Sequence, residues 1–183
     1  MKRPLTRILM ILVICILGDP TAAQKPLSYK DGVFELDRGN FHVAFVTFKR
    51  LAEQGDVRSQ HDLAFMYMIG YVGKQDFEMG AKWLKKAANS GLAKAQYSLG
   101  ELYETGRGVA HDKIKALQWY WTSSHMTHRA QRQILSRSKI EDLEHRMSAK
   151  EISRARVLAC NWAKDVKGKF EIPKAIHSVC SSD

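Results

Sequence analysis

The chain has 183 residues, of which 45% are hydrophobic and 26% are charged. An excess of 29 Lys and Arg side chains over 19 Asp and Glu gives it a net charge of +10. These proportions exclude an intrinsically disordered chain, and the length is sufficient to bury a sizeable core.

The N-terminal segment is typical of a secretory signal peptide. Three basic residues precede an uncharged apolar run, Ile8–Leu17, and small residues lead to Ala23. This order predicts a signal peptide over residues 1–23 that is cleaved after Ala23. An uncleaved anchor is the alternative, but the run has about half of the ~20 apolar residues that a membrane-spanning helix needs. We therefore expect a periplasmic or secreted protein with no stable membrane span after cleavage.

Export decides how the positive charge is interpreted. A basic chain often binds nucleic acid, but an exported one is not expected to meet it, so we predict no nucleic-acid partner. Anionic surfaces of the cell envelope or acidic proteins stay open as partners. A charge that merely keeps the protein soluble explains the composition equally well.

One phrase occurs twice in the middle of the chain. Leu63–Leu84 reads LAFMYMIGYVGKQDFEMGAKWL, and Leu99–Tyr120 reads LGELYETGRGVAHDKIKALQWY, 36 residues later. Such self-similarity is the signature of a repeat architecture. The offset pairs identical residues: Gln60 with Gln96, Tyr67 with Tyr103, Gly70 with Gly106, Asp76 with Asp112, and Trp83 with Trp119.

Each copy predicts two helices joined by a tight turn. Leu99 and Tyr103 recur at helical spacing, so they lie on one face of the first helix. Gly106 and Gly108 permit the backbone angles of a compact reversal. Asp112 then stands where an N-cap carboxylate can accept from the free amides of the second helix.

These residues also carry a family resemblance. The pattern Leu-Gly, Tyr, Gly-x-Gly-Val, Asp, Ala and Trp resembles a Sel-1-like repeat, which is a relative of the tetratricopeptide repeat. The whole chain resembles an exported bacterial-type protein of this repeat family. The earlier copy departs from it, because Ala64 replaces the glycine and YVGK replaces the second Gly-Val. The resemblance implies an all-α fold, a short α-solenoid of antiparallel helix pairs with a C-terminal capping helix.

The resemblance extends beyond the two central copies. The predicted units are a signal peptide, a tetratricopeptide-like unit marked by Gly32 and Phe48, two Sel-1-like repeats, C-terminal capping helices and a tail. Their boundaries are 1–23, 24–55, 56–91, 92–127, 128–166 and 167–183. In the capping helices, Ser148 and Glu151 form the pattern of a capping box.

Two cysteines remain after the predicted signal peptide. In an oxidising compartment, Cys160 and Cys180 can form one disulfide that ties the tail to the last helix. Two unpaired thiols are the alternative.

The sequence shows no arrangement typical of catalysis. It contains no nucleophile beside a base and no isolated carboxylate pair. His125 and His128 have a spacing that could hold a metal, but no nearby Cys, Asp or Glu completes the set, so we predict no enzyme, no cofactor and no metal. Trp83 and Trp119 recur at core spacing and are expected to pack inside. An exposed Trp121 would favour the alternative of a cell-wall enzyme or carbohydrate-binding module.

The resemblance implies that the first helix of each pair lines a concave face. Positions equivalent between units place aromatic, apolar and charged side chains there, which is a composition suited to an interface. We therefore predict a non-enzymatic adaptor that binds a protein or peptide; secretion toward host proteins is a further possibility. The predicted groove residues are Tyr29, Arg58, His61, Phe65, Met68, Lys94, Tyr97 and Glu101.

Overall fold

The computed structural model describes residues 27–126, 130–166 and Cys180. The predicted signal peptide, and the predicted tail apart from Cys180, lie outside the described residues.

The described part of the chain is entirely helical, with eight α-helices and no strand. This confirms the predicted all-α class. The boundaries between the predicted units stay predictions, although each of the first three helix pairs lies within one unit. The helices are α1 Tyr29–Asp37, α2 Phe41–Glu53, α3 Val57–Ile69, α4 Phe77–Asn89, α5 Ala93–Thr105, α6 Lys113–Met126, α7 Ala130–His145 and α8 Ala149–Val166.

The helices stack in chain order from α1 to α7, each packing against the next. α8 departs from this order, because it packs against α6. There the Trp119 and Trp162 rings meet edge to face with centroids 6.2 Å apart. α8 therefore covers the end of the apolar core that the repeats would otherwise expose, as a terminal cap of a solenoid must.

The repeated aspartates begin the helices in the same way. Asp76 accepts from the backbone N–H of Met79 at 2.8 Å, and Asp112 accepts from that of Lys115 at 3.0 Å. Each carboxylate satisfies an amide that has no partner within its helix. Asp112 is thus the N-cap that the sequence predicts.

The repeated glutamines connect one unit to the next. The Gln60 side-chain amide donates to the Ala52 carbonyl at 3.2 Å, and Gln96 donates to Ala88 at 3.1 Å. Both glutamines are buried. They reach across a unit boundary to the last turn of the preceding helix, whose carbonyls lack intrahelical partners.

The turn inside each repeat depends on left-handed glycines. In the second copy Gly106 and Gly108 have φ of 70° and 67°. In the first copy φ is 81° at Gly70 and 140° at Gly73. The second glycine with a positive φ therefore lies one position later in the first copy than in the second. The departure of the first copy from the repeat pattern therefore changes the turn and leaves the helices intact.

Gly108 also allows the turn to touch the preceding helix pair. A Cβ at this position would overlap the carbonyl oxygen of Phe77, the first residue of α4. Only glycine combines this close approach with a positive φ. The α5–α6 turn is therefore packed directly against the start of α4.

We expect Gly108→Ala to destabilise the protein far more than Gly39→Ala. Both glycines have a positive φ, but no atom lies near the position of a Cβ at Gly39. Gly39→Ala should cost about 1–2 kcal/mol for the left-handed backbone alone. Gly108→Ala should cost about 1–3 kcal/mol more, because the turn must move away from α4. Urea denaturation of both variants measures the difference, and equal losses would contradict the packing of this turn.

Candidate functional site

The eight predicted groove residues lie on α1, α3 and α5, the first helices of the three repeat units. Side chains link these helices across the unit boundaries, so they present one continuous surface, which we call the first-helix face. The structure divides the predicted residues between two places on it. One is a polar cluster around Asp62, and the other is an open cavity beside Phe65.

Asp62 is the centre of the polar cluster. Its carboxylate accepts from the Tyr29 hydroxyl of α1 at 2.6 Å and from Lys94 Nζ of α5 at 3.2 Å. His61 Nδ1 lies 2.6 Å from Oδ1, the same carboxylate oxygen that accepts from Lys94, whereas the Tyr29 hydroxyl binds Oδ2. The guanidinium of Arg58 lies over the Tyr29 ring at 4.4 Å from its centroid. Three of the predicted residues therefore meet at one carboxylate that joins three helices, and Arg58 joins them through the Tyr29 ring.

The electrostatics of this cluster favour a charged carboxylate. Burial alone would raise the pKa of Asp62, but hydrogen bonds from His61 and Tyr29 and the positive charge of Lys94 lower it below its ordinary value. Burial and the hydrogen bond to Asp62 raise the pKa of Tyr29 well above its ordinary value. The phenol therefore stays a donor, and the carboxylate stays an acceptor, throughout the physiological range.

The second place is a cavity of about 470 Å³ that opens between α3 and α5. Its walls come from α3, from the start of α4, and from α5 and the turn that follows. Apolar and polar side chains alternate around it. The lining residues are Phe65, Met68, Ile69, Gln75, Phe77, Ser98, Glu101, Leu102, Thr105 and Arg107.

Two features of the cavity fit it to a ligand with an apolar part. Phe65 and Ile69 remain 36% and 49% exposed at its edge. Arg107 lies over the ring of Phe77, with its guanidinium carbon 5.7 Å from the centroid. The cavity thus offers apolar walls with a cation at one side, which is the composition of a recognition site more than of a packing defect.

Glu101 supplies the negative group of the cavity. Burial raises the pKa of its carboxyl group, and the charge of Lys139 and a hydrogen bond from Tyr97 offset only part of this effect. Tyr97 packs against the buried Tyr120 ring at 5.3 Å between centroids. It is therefore a supporting wall for Glu101 and less available to a ligand than the prediction assumed.

A second carboxylate cluster follows on α5. Glu104 accepts from the Tyr120 hydroxyl at 2.7 Å and pairs with Lys139 of α7 at 3.0 Å and with Arg146 at 3.3 Å. Burial would raise the pKa of Glu104, but the hydrogen bonds from Tyr120 and Lys139 lower it. This cluster fixes α7 against the end of the first-helix face.

Sequence reasoning missed Asp62 and Glu104. Both occupy positions where the copies differ, since Asp62 corresponds to Ser98 and Glu104 to Met68. A comparison of the repeats selects positions that are identical in both copies, so it does not select Asp62 or Glu104. The available signal was the departure itself, a carboxylate in one copy at a position that is uncharged in the other.

The tryptophans do not form an exposed platform. All four are buried, and Trp121 is only 9% exposed, with the Arg156 guanidinium 5.8 Å from its ring centroid. The carbohydrate alternative therefore loses the exposed Trp121 on which it depended. Among the described residues, no group of three or more His, Cys, Asp or Glu side chains is arranged to hold a metal ion.

Within residues 27–126 and 130–166, no helix is long and apolar enough to cross a bilayer. At the other end of the described chain, Cys160 and Cys180 form a disulfide with Cα atoms 5.6 Å apart. Cys160 is buried on α8, so the bond connects the capping helix to the segment that follows it.

A comparison with protein families explains the repeated helix pairs. The model described as Sel1 repeat matches residues 57–92 and again residues 93–120. Residues 57–120 therefore match two Sel1 repeats. These matches cover α3, α4 and α5 and the first part of α6, which include the whole of the cavity lining.

Relatives with the same type of sequence include regulators from fungi. Chitin synthase regulatory factor 3 of Schizosaccharomyces pombe is 40% identical over 75 residues, which cover 40% of this chain and 8% of that protein. Chitin synthase regulator SKT5 of Saccharomyces cerevisiae is 33% identical over 75 residues, which cover 40% of this chain and 11% of that protein. Protein sel-1 homolog 2 of Mus musculus is 32% identical over 77 residues, which cover 42% of this chain and 11% of that protein. The chain therefore spans only about a tenth of the length of these relatives.

Two solved structures share the Sel1 fold. One is a protective antigen present in uropathogenic Escherichia coli strains that displays an SLR fold, with a TM-score of 0.69 and 23% identity; the match covers 85% of this chain and 32% of that one. The other is a Sel1 repeat protein from Oxalobacter formigenes, with a TM-score of 0.56 and 19% identity, covering 83% and 68%. At these identities the likeness supports the fold alone, and it confirms the short solenoid.

We expect Asp62→Ala to destabilise the protein by about 2 kcal/mol at neutral pH, because a half-buried charged acceptor of several hydrogen bonds is lost. Asp142→Ala is the control, since this exposed residue pairs with Arg146 at the surface. It should cost less than about 0.5 kcal/mol. Chemical denaturation measures both losses.

The effect of Asp62 should also depend on pH. Its lowered folded-state pKa stabilises the protein fully above the unfolded-state value of about 4. The difference between the native chain and Asp62→Ala should therefore shrink as the pH falls below that value. An unchanged difference in acid would show that Asp62 acts by packing and not by charge.

Proposed function

We propose that this chain is a non-enzymatic adaptor that binds a segment of another protein along its first-helix face. The observation that carries the proposal is the open cavity between α3 and α5, with apolar side chains exposed at its edge. The bound segment inserts an apolar side chain against Phe65 and Ile69. Glu101 and Arg107 fix its direction by polar contacts. Met68 lines the same cavity, and Tyr97 supports Glu101. The other predicted groove residues belong to the Asp62 cluster, which holds the three helices at the spacing that the segment needs.

The rigidity of the helix stack supports this role. A stack of helices joined by buried hydrogen bonds is rigid before a partner arrives, so little conformational entropy is lost on binding. Apolar side chains exposed together beside a cavity are the type of surface that marks interaction sites. The fungal relatives are regulators of chitin synthase by name, which also describes proteins that act on another protein. This agreement supports the general role and identifies no partner for this chain.

We further propose that the protein acts outside the cytoplasm, in the periplasm or after secretion. The basic and apolar pattern of residues 1–23 supports export. The Cys160–Cys180 disulfide supports the same compartment, because such bonds persist where the environment is oxidising. Engagement of host proteins is compatible with the same route of export.

Expression of the full chain in a bacterial host tests export. We expect the protein recovered from the periplasm or medium to begin at Gln24, and its free-thiol count to be zero before reduction. Intact-mass measurement with and without reduction and alkylation records both features. Recovery of the protein only from the cytoplasm, with residues 1–23 attached and with Cys160 and Cys180 as free thiols, would contradict the proposal.

Binding at the cavity is tested with Phe65→Glu in the full chain, beside the control Val157→Glu. Val157 is an isolated exposed apolar residue on α8, 53% exposed, and it receives the same change of charge far from the cavity. After crosslinking in cells, we expect a partner to be captured by the native chain and by the control, and to be lost from Phe65→Glu. Circular dichroism must show the same melting for both variants. Equal capture by all three chains, or by none, would overturn the proposed site.

A further inference from the structure

Charge is segregated between the two rows of helices in the repeat units. The first helices α1, α3 and α5 contain three Lys or Arg and six Asp or Glu residues. The second helices α2, α4 and α6 contain seven Lys or Arg and only two Glu residues. Most of the repeat units' positive charge therefore belongs to the row of helices that the adaptor site does not use.

Five of these cations form one basic patch on α2 and α4. Lys49 corresponds to Lys85 and Arg50 to Lys86 at the repeat offset, so they occupy equivalent places in successive units; Lys82 lies one turn before Lys85. All five are exposed. The basic patch is Lys49, Arg50, Lys82, Lys85 and Lys86.

The cations of the basic patch differ in their surroundings from those of the other helices. None of them takes part in an ion pair between described residues, whereas Arg58, Lys94 and Lys139 of the other helices all do. Lys86 alone has a close partner, the Trp83 ring, whose centroid lies 3.8 Å from its Nζ. This contact leaves its charge unneutralised. An anionic ligand would therefore meet five positive charges without displacing an internal carboxylate.

Two apolar side chains border the basic patch on α2. Val43 and Val46 are 50% and 51% exposed, and they lie on successive turns of the stripe that leads to Arg50. Exposed apolar residues among Lys side chains are typical of helices that lie at a lipid interface. Four of the five cations are lysines, which act as point charges and lack the bidentate geometry that a fixed carboxylate partner favours.

We propose that the basic patch docks the protein on a membrane surface rich in anionic phospholipid headgroups. The lysines and Arg50 contact the headgroups, and the two valines enter the boundary between headgroups and acyl chains. The first-helix face stays exposed on the other row of helices. This proposal is independent of the adaptor site, because the two surfaces share no residue.

The test is sedimentation of the full chain with vesicles of phosphatidylglycerol and phosphatidylcholine in equal parts, and with vesicles of phosphatidylcholine alone. The second vesicles record any attachment by the apolar segment Ile8–Leu17, which does not depend on lipid charge. The test variant is Lys49→Gln/Lys82→Gln/Lys85→Gln, which spares the contact between Lys86 and Trp83. The matched control is Lys30→Gln/Lys74→Gln/Lys150→Gln, which removes three exposed lysines elsewhere.

We expect native protein and control to bind the anionic vesicles similarly. The test variant should bind about a hundredfold more weakly, at roughly fivefold for each cation near the surface. The difference should shrink at about 1 M salt, where the Debye length is about 3 Å. All three lysines are exposed, so unchanged circular dichroism is expected for both variants.

Three results would overturn the proposal. The first is equal binding of the native chain to vesicles with and without phosphatidylglycerol. The second is equal weakening in the test variant and the control, which would assign binding to net charge and not to the patch. The third is patch-dependent binding to poly-glutamate without binding to anionic vesicles, which would assign the patch to an acidic polypeptide.

Discussion

The structure depends on close packing at one glycine within each of its first three helix pairs. Gly32 of α1 receives the Phe48 ring, and Gly100 of α5 receives the Tyr120 ring; a Cβ would approach these rings to 2.5 Å and 2.8 Å. In the middle pair the glycine is on the second helix, where Gly80 receives the Met68 side chain. Because a large side chain fills the space beside each glycine, the two helices of each pair are close-packed there. This packing fixes the spacing on which the first-helix face relies.

The close packing also determines where polar groups can lie. Apolar side chains occupy the contacts within the pairs, so the boundaries between successive first helices are left to hydrogen bonds and ions. Asp62 and Glu104 take these places and bring together Tyr29, Lys94 and Lys139 from neighbouring helices. A polar cluster of this kind holds helices at a defined distance, since every member must be satisfied at once. The cavity survives beside it because neither carboxylate extends into the space next to Phe65.

Much of the fold could be predicted because its causes are local and repeated. The spacing of Leu99 and Tyr103, the glycines of the turn and the Asp112 cap each specify structure within a few residues. The role of Gln96 could not be predicted, although its repetition was evident, because its acceptor on Ala88 is known only once the helices are packed. The candidate site was predicted as a face and not as a cavity. Its volume depends on how far α3 lies from α5, and no local pattern encodes that distance.

The unequal distribution of charge between the two rows of helices gives the three repeat units a charge dipole. Its negative end is the row formed by α1, α3 and α5, and its positive end is the row formed by α2, α4 and α6. Such a molecule turns in an external field before it touches anything, so its encounters with a charged body are not random in orientation. It approaches an anionic body with the second helices leading and the cavity facing away. A protein partner that approaches from the side away from the anionic body then meets the cavity with less rotational search.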